Sequence, residues 1–234
     1  MYKRQLQGGT LQDYDGNGSY STSNANVYVP KGKSGTWRLD SRCDYKGALT
    51  GEGTLTIYLP WVRSYLKGNW SQFKGTLKAT TASGYDFTFD NGYGMPYATL
   101  DLSSGAKVTN TAKTFAIAKV TGNGTLGGDN NAWKIGNEDN FRLDATITGN
   151  NSSLTKTGEG KMTITANNSY SGSTTVSEGE LSLSSGGTLG TGVLRVNEGT
   201  ILSGVTKTGA PLKNSSATIL SLIHISEPTR RTPI

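Results

Sequence analysis

Apolar and polar residues alternate in short bursts along this chain, and glycine or asparagine separates one burst from the next. The pattern is clearest between Leu154 and Leu183 (LTKTGEGKMTITANNSYSGSTTVSEGELSL). There Met162-Thr-Ile164, Thr174-Thr-Val176 and Leu181-Ser-Leu183 each send every second side chain to one face. A period of two over a few residues predicts half-buried strands, and Gly or Asn supplies the positive φ that tight turns need. The bursts also recur at a fixed distance. Val176-Ser-Glu-Gly-Glu-Leu181 returns twenty residues later as Val196-Asn-Glu-Gly-Thr-Ile201.

Further echoes extend the pattern upstream. Leu49-Thr-Gly-Glu-Gly-Thr-Leu-Thr-Ile57 resembles Leu154 to Ile164, and Val120-Thr-Gly-Asn-Gly-Thr-Leu126 repeats the Gly-x-Gly-x-apolar turn. Asn69 to Leu77 parallels Asn168 to Val176, Leu100 to Gly105 matches Leu181 to Gly186, and Val205-Thr-Lys-Thr-Gly209 starts another unit. Short strands cannot bury their inner faces alone. Coiling the chain so that each turn stacks on the last pairs every strand with neighbours ~4.8 Å above and below and closes one continuous interior. The expectation is an all-β fold, a right-handed parallel β-helix (β-solenoid) with about 20 residues per turn. Residues 1–219 would then make about 11 turns, a rod on the order of 50 Å long. The predicted interior is Leu55, Ile57, Leu77, Leu100, Leu102, Ile117, Leu126, Ile135, Leu143, Ile147, Met162, Ile164, Val176, Leu181, Leu183, Val196 and Ile201. An antiparallel sandwich also has short, evenly spaced strands, but it does not explain the shared register.

Composition sharpens this picture. Hydrophobic residues make up only 33% of the 234, too few for a thick globular core but enough for a narrow solenoid. Disorder is excluded for the body of the chain, because charged residues are just 17% and aromatics reach 9%. The net charge of +6 is scattered among turns rather than gathered in a stripe, which argues against a nucleic-acid partner. Cys43 is alone, so neither an intrachain disulfide nor a multi-cysteine metal site forms. The opening MYKRQLQGGT has a basic start without an apolar run, so it is no signal peptide, and no stretch is long and apolar enough for a membrane helix.

Four segments follow: turn-rich first coils at 1–47, an aromatic-rich divergent β-helix at 48–147, regular repeat units at 148–219, and a tail at 220–234. The tail changes texture and holds the single histidine; Leu220–Arg230 (LSLIHISEPTR) resembles the conceptual translation of a sequencing adapter and is expected to lie outside the fold.

From Leu154 to Gly190 the residues resemble the autotransporter passenger-associated repeat, also called the autotransporter-associated β-strand repeat. The likeness rests on Leu154-Thr-Lys-Thr-Gly-x-Gly, Thr163-Ile-Thr, Asn168-x-Tyr-Ser-Gly-x-Thr-Thr-Val176 and Gly179-x-Leu-x-Leu183. Residues 48–147 look like a divergent extension found in large surface proteins of gut Bacteroidetes. The resemblance implies an exported passenger, extracellular or attached to the outer membrane at the bacterial cell surface. Such a β-helical stalk serves adhesin or enzyme modules, with further repeats of the same chain as its neighbours. No C-terminal barrel or catalytic module of that family is recognisable here.

Candidate chemistry is sparse, and no cofactor is expected. Asp13-Tyr-Asp-Gly-Asn-Gly18 opens like a calcium loop, but Asn24 stands where a bidentate carboxylate should close it, so a plain turn is the reading and no metal is expected. With His224 in the tail, no Ser/His/Asp or Cys/His set exists; Glu138, Asp139 and Asp144 lie close in sequence, but alternation sends Asp139 and its neighbours to opposite faces. A non-catalytic chain is expected. The remaining candidate is Tyr58 to Trp70, which interleaves aromatics with cations. Trp61, Tyr65 and Trp70 could stack on sugar rings while Arg63 and Lys67 meet acidic groups, making surface glycans or polysaccharide the expected partner. The competing reading is that these aromatics plug wide coils. A non-catalytic stalk or adhesin-like segment leads, and an accessory carbohydrate-binding module of a polysaccharide-degrading enzyme is the alternative. An exposed aromatic row would favour the alternative, and inward aromatics the stalk.

Overall fold

The computed structural model describes residues 3–13, 21–39, 43–59, 65–81, 86–111, 114–184 and 186–204. Among them are twenty-four strands and no helix, and every paired strand is parallel to its neighbour. The chain is a β-solenoid, as its period predicts. Successive rungs lie about 21 residues apart: Leu126 pairs with Ile147, and Trp133 with Leu154.

Three faces wrap the interior. The first begins with Lys3–Gln5, Asn26–Val29 and Leu49–Gly51. The second begins with Thr10–Asp13, Ser34–Leu39, Thr54–Leu59 and Thr76–Thr81. The third stacks seven strands from Ser21–Ser23 to Thr146–Ile147. Midway the first two faces merge. Met95–Asp101 and Phe115–Thr121 are single seven-residue strands that run across both. The last residues of Met95–Asp101 pair with Thr76–Lys78 below, whereas the first residues of Phe115–Thr121 pair with Trp133–Ile135 above. The longest sheet therefore passes from the second face to the first. It continues through Ala132–Ile135, Ser153–Lys156, Thr174–Val176 and Leu194–Val196, ten strands in all. At ~4.8 Å per strand they span about 43 Å, close to the predicted rod for a slightly shorter stack. The second face resumes as a separate sheet of Phe141–Leu143, Lys161–Ile164, Glu180–Leu183 and Ile201–Ser203.

Alternation decides what faces in. Thr54–Leu59 and Lys161–Ile164 bury every second side chain, and the buried members of neighbouring rungs align, as in Phe141, Met162 and Leu181. Fifteen of the seventeen predicted interior residues are buried. Val196 is only partly covered. Ile201 is a correction: it is 56% exposed, because the corner before it carries one more residue than the corner below. Val196 pairs with Val176 as expected, but Ile201 pairs with Glu180, and Leu202 takes the inward place over Leu181.

Two other echoes land differently from their sequence alignment. The Gly-x-Gly turn at Gly51 and Gly158 lies between the first and second faces, whereas Gly122-Asn-Gly124 lies between the second and third. One turn chemistry thus serves two corners. Leu77 sits on the second face and Val176 on the first, so Asn69–Leu77 and Asn168–Val176 are not equivalent.

The lower coils are wider, and aromatics fill them. Thr10 pairs with Thr36, 26 residues on, and Thr76 with Thr99, 23 on; higher up, Leu154 pairs with Thr174, 20 on. Trp70, Phe89, Phe115 and Trp133 form a chain of ring contacts through the interior, with centroids 5.7, 4.4 and 6.1 Å apart. Where rungs shorten, Leu, Ile and Met take over most of the interior, with Phe141 and Tyr170 the rings that remain there. The calcium-like loop residues 14–18 and the whole 205–234 tail lie outside the described residues, and no helix among the described residues is long and apolar enough to cross a membrane.

Candidate functional site

The structure separates the residues that the sequence grouped as a sugar platform. Trp61 and Arg63 lie outside the described residues. Trp70 is a correction: it is fully buried, its ring meets Phe89 edge-on, and its indole N–H donates to the Gly47 carbonyl at 3.2 Å. No face of it is open to a sugar. Tyr65 is half-buried on the third face with the Lys67 ammonium 5.5 Å from its ring centre. Lys67 reaches across rungs, donating to Asp44 at 2.8 Å and lying 3.4 Å from Asp90. The Asp44 hydrogen bond, with help from Asp90, holds that ammonium above the ordinary lysine range. Two carboxylates thus already occupy the cation. Among the described residues the exposed large aromatics are Tyr93 and Tyr97, and Lys74 lies 6.0 Å from the Tyr97 ring.

A groove opens elsewhere, where the second face is split. Phe141–Leu143 is the edge of its sheet and shares no backbone ladder with Phe115–Thr121 beneath it. An open depression of about 460 Å³ crosses this gap, lined by Lys119, Thr121 and Gly122 below, Asn140 to Arg142 and Asp144 beside it, and Lys161 and Thr163 above. Arg142 donates to Asp144 at 3.1 Å, and the Thr165 hydroxyl also donates to Asp144. The Thr165 bond holds the Asp144 carboxyl below its ordinary range; partial burial opposes it and Arg142 adds to it. Lys161 pairs with Glu180 at 2.8 Å. Glu138 and Asp139 are exposed in the corner loop and do not join this set. Sequence reasoning missed the groove because its cations are far apart in the chain. Lys119, Arg142 and Lys161 fall roughly one rung from one another, a signal that becomes readable only once the rung length is known.

The upper coils hold a second unusual side chain. Lys156 stands between Ile135 and Val176 in the ladder, an inward position otherwise filled by hydrocarbon. Its side chain is buried, and its ammonium curls to the corner to donate to the carbonyls of Thr157 (2.8 Å), Gly158 (2.5 Å) and Glu178 (3.1 Å). The Glu178 carboxylate in turn accepts from the Gly158 N–H. Burial pushes the Lys156 ammonium down from the ordinary value, against the pull of Glu178, Glu159 and Glu138. Here the Thr-Lys-Thr-Gly motif acts as a corner lock between rungs. Gly158 has φ of 71°, and a Cβ there would meet the Asn137 carbonyl at 2.4 Å.

This corner lies inside the segment, residues 154–183, that matches the family model of the passenger-associated-transport-repeat. The chain carries that repeat. The family implies a secreted or surface-exposed bacterial protein. In structural terms the passenger-associated-transport-repeat is one coil and a half: Ser153–Lys156, the locked corner, Lys161–Ile164, the return past Tyr170, then Thr174–Val176 and Glu180–Leu183. Tyr170 closes its interior, with its hydroxyl 2.6 Å from that of Thr174. No curated protein and no solved structure matches the chain.

Proposed function

We propose that this chain is a non-catalytic stalk segment of an exported bacterial surface protein, held at or outside the outer membrane, with further repeats of the same chain as its neighbours. The observation that carries the reading is the passenger-associated-transport-repeat built into a continuous parallel ladder. Such a ladder transmits load along the rod, because every rung is tied to the next by backbone hydrogen bonds. Inward aromatics support the stalk over the carbohydrate-module alternative: Trp37, Trp70, Trp133, Phe73, Phe89 and Phe115 all fill the interior.

A surface-display experiment tests the proposal. The whole chain would be displayed on a bacterial exporter with a fluorophore at its distal end, and the height above the membrane measured by energy transfer. Deleting one rung of 20 residues should lower the fluorophore by ~4.8 Å, the spacing of stacked strands. Heights that ignore the number of rungs would sink the stalk reading.

A further inference from the structure

We propose that the groove over the split second face binds an anionic saccharide, a chain of carboxylated sugars. Three cations, Lys119, Arg142 and Lys161, line it against one carboxylate, Asp144. Asp144 is held by Arg142 and the Thr165 hydroxyl, and Lys161 is balanced by Glu180. Lys119 forms no ion pair among the described residues. The Arg142 side chain is 70% exposed despite its contact with Asp144, so much of its planar fork faces solvent. A guanidinium fork matches a carboxylate in two parallel hydrogen bonds, and an unpaired lysine adds a second positive point beside it.

Shape and lining select a sugar from among anions. The depression is open and shallow, and its ≈460 Å³ falls in the range of about 300–1,000 Å³ typical of small-ligand sites. That volume holds one or two sugar rings, and an open site lets a chain continue past it. The Thr121 and Thr163 hydroxyls and the Asn140 amide offer donors and acceptors for ring hydroxyls. The aliphatic stems of Lys119, Arg142 and Lys161 give the C–H faces of a ring an apolar floor. No ladder joins Lys119–Thr121 to Phe141–Leu143 across the groove, although the Thr121 and Leu143 carbonyls already accept from the Leu102 and Thr165 N–H groups. A nucleic acid would call for a denser run of cations than this alternation with carboxylates provides.

The test uses the full chain and trigalacturonate as probe, with the fully methyl-esterified trisaccharide as its neutral match. Titration calorimetry and amide chemical shifts should show binding of the acid, with shifts at Gly122, Arg142 and Thr163. Affinity should weaken as salt is raised to physiological strength. Lys119→Gln and Arg142→Gln should each lower affinity about tenfold, in line with the loss of one charge-assisted hydrogen bond. Both side chains reach solvent, and an unchanged strand spectrum in circular dichroism would show that the variants fold. No heat or shift at millimolar acid would overturn the proposal. So would equal binding of the esterified sugar, equal binding of inorganic sulfate, or variants that bind as tightly as the parent.

Discussion

Replacing Lys156 with methionine removes the ammonium but keeps an unbranched stem between Ile135 and Val176. The carbonyls of Thr157, Gly158 and Glu178 then lose their shared donor. A hydrogen bond to a charged donor is worth about 1.5–3 kcal/mol, and three are lost. Against that, the variant no longer dehydrates an ammonium, which costs several kcal/mol. The balance leaves roughly 2–4 kcal/mol of destabilisation, felt locally because solenoid rungs couple mainly to their neighbours. Amide hydrogen exchange reads it at Gly158 and Gly160, which lie in the locked corner. Exchange there should quicken roughly 30- to 700-fold, since each 1.4 kcal/mol is a factor of ten. The pH dependence gives an independent check. Burial lowers the folded pKa of Lys156 below the ordinary 10.5. Between those two values the unfolded chain holds a proton that the folded chain has released, so this group makes stability rise with pH in that window. Lys67, whose pKa is raised, contributes the opposite slope, but it is common to both proteins and cancels in their difference. The parent should therefore gain stability relative to Lys156→Met as pH climbs toward 10.5. Corner exchange that changes less than threefold, with no alkaline difference, would refute the lock.

Three further outcomes follow from the same geometry. Phe115→Ala should cost about 3–5 kcal/mol in denaturant unfolding, because it breaks the ring chain between Phe89 and Trp133 and leaves a cavity in a buried site. Gly158→Ala should speed exchange across the same corner, since it forces a positive φ on alanine and drives its Cβ toward the Asn137 carbonyl; Gly186→Ala, with open space around it, should show only the backbone penalty. Glu180 is held below the ordinary carboxylate value by Lys161 and by the Ser203 hydroxyl. Its contribution is present above the unfolded pKa and vanishes as pH falls through the folded one, so thermal melts from pH 5 down to pH 2 (roughly the range spanned by shifted carboxylates) should fall more steeply for the parent than for Glu180→Gln.

Much of the fold is legible in the chain because a solenoid writes its register twice, once as alternation and once as period. Met162 and Ile164 reveal their inward face by the polar residues around them, and their partners Leu181 and Leu183 appear about one rung later. What escapes is any feature that depends on the length of a corner. One extra residue after Val196 turns Ile201 outward, yet the sequence alignment with Leu181 looks better than the true pairing with Glu180. Trp70 misleads for a related reason. Aromatics near cations suggest an exposed platform, but a wide coil needs bulky fillers, and coil width is invisible until rungs are paired. Lys156 escapes because only its ammonium, which reaches the carbonyls of the corner, sets its inward place apart from a hydrocarbon one.

The split in the second face has the same origin, and it explains why the groove lies where it does. In Met95–Asp101 and Phe115–Thr121 the chain passes from the first face to the second without a turn. One rung higher, five residues, Gly136 to Asn140, separate Ala132–Ile135 from Phe141–Leu143. The first face compensates by arriving early: Phe115 pairs with Trp133 after only 18 residues, while the third face keeps 21 between Leu126 and Ile147. A continuous strand cannot stay in register with two strands joined by a loop along its whole length. It keeps the ladder on the first face and loses it on the second. The interior is filled, so a change in corner length is a place where a narrow solenoid can open a polar cleft without weakening its core. Any repeat array of this kind that inserts a corner loop above an unbroken two-face strand should carry a groove at the same position.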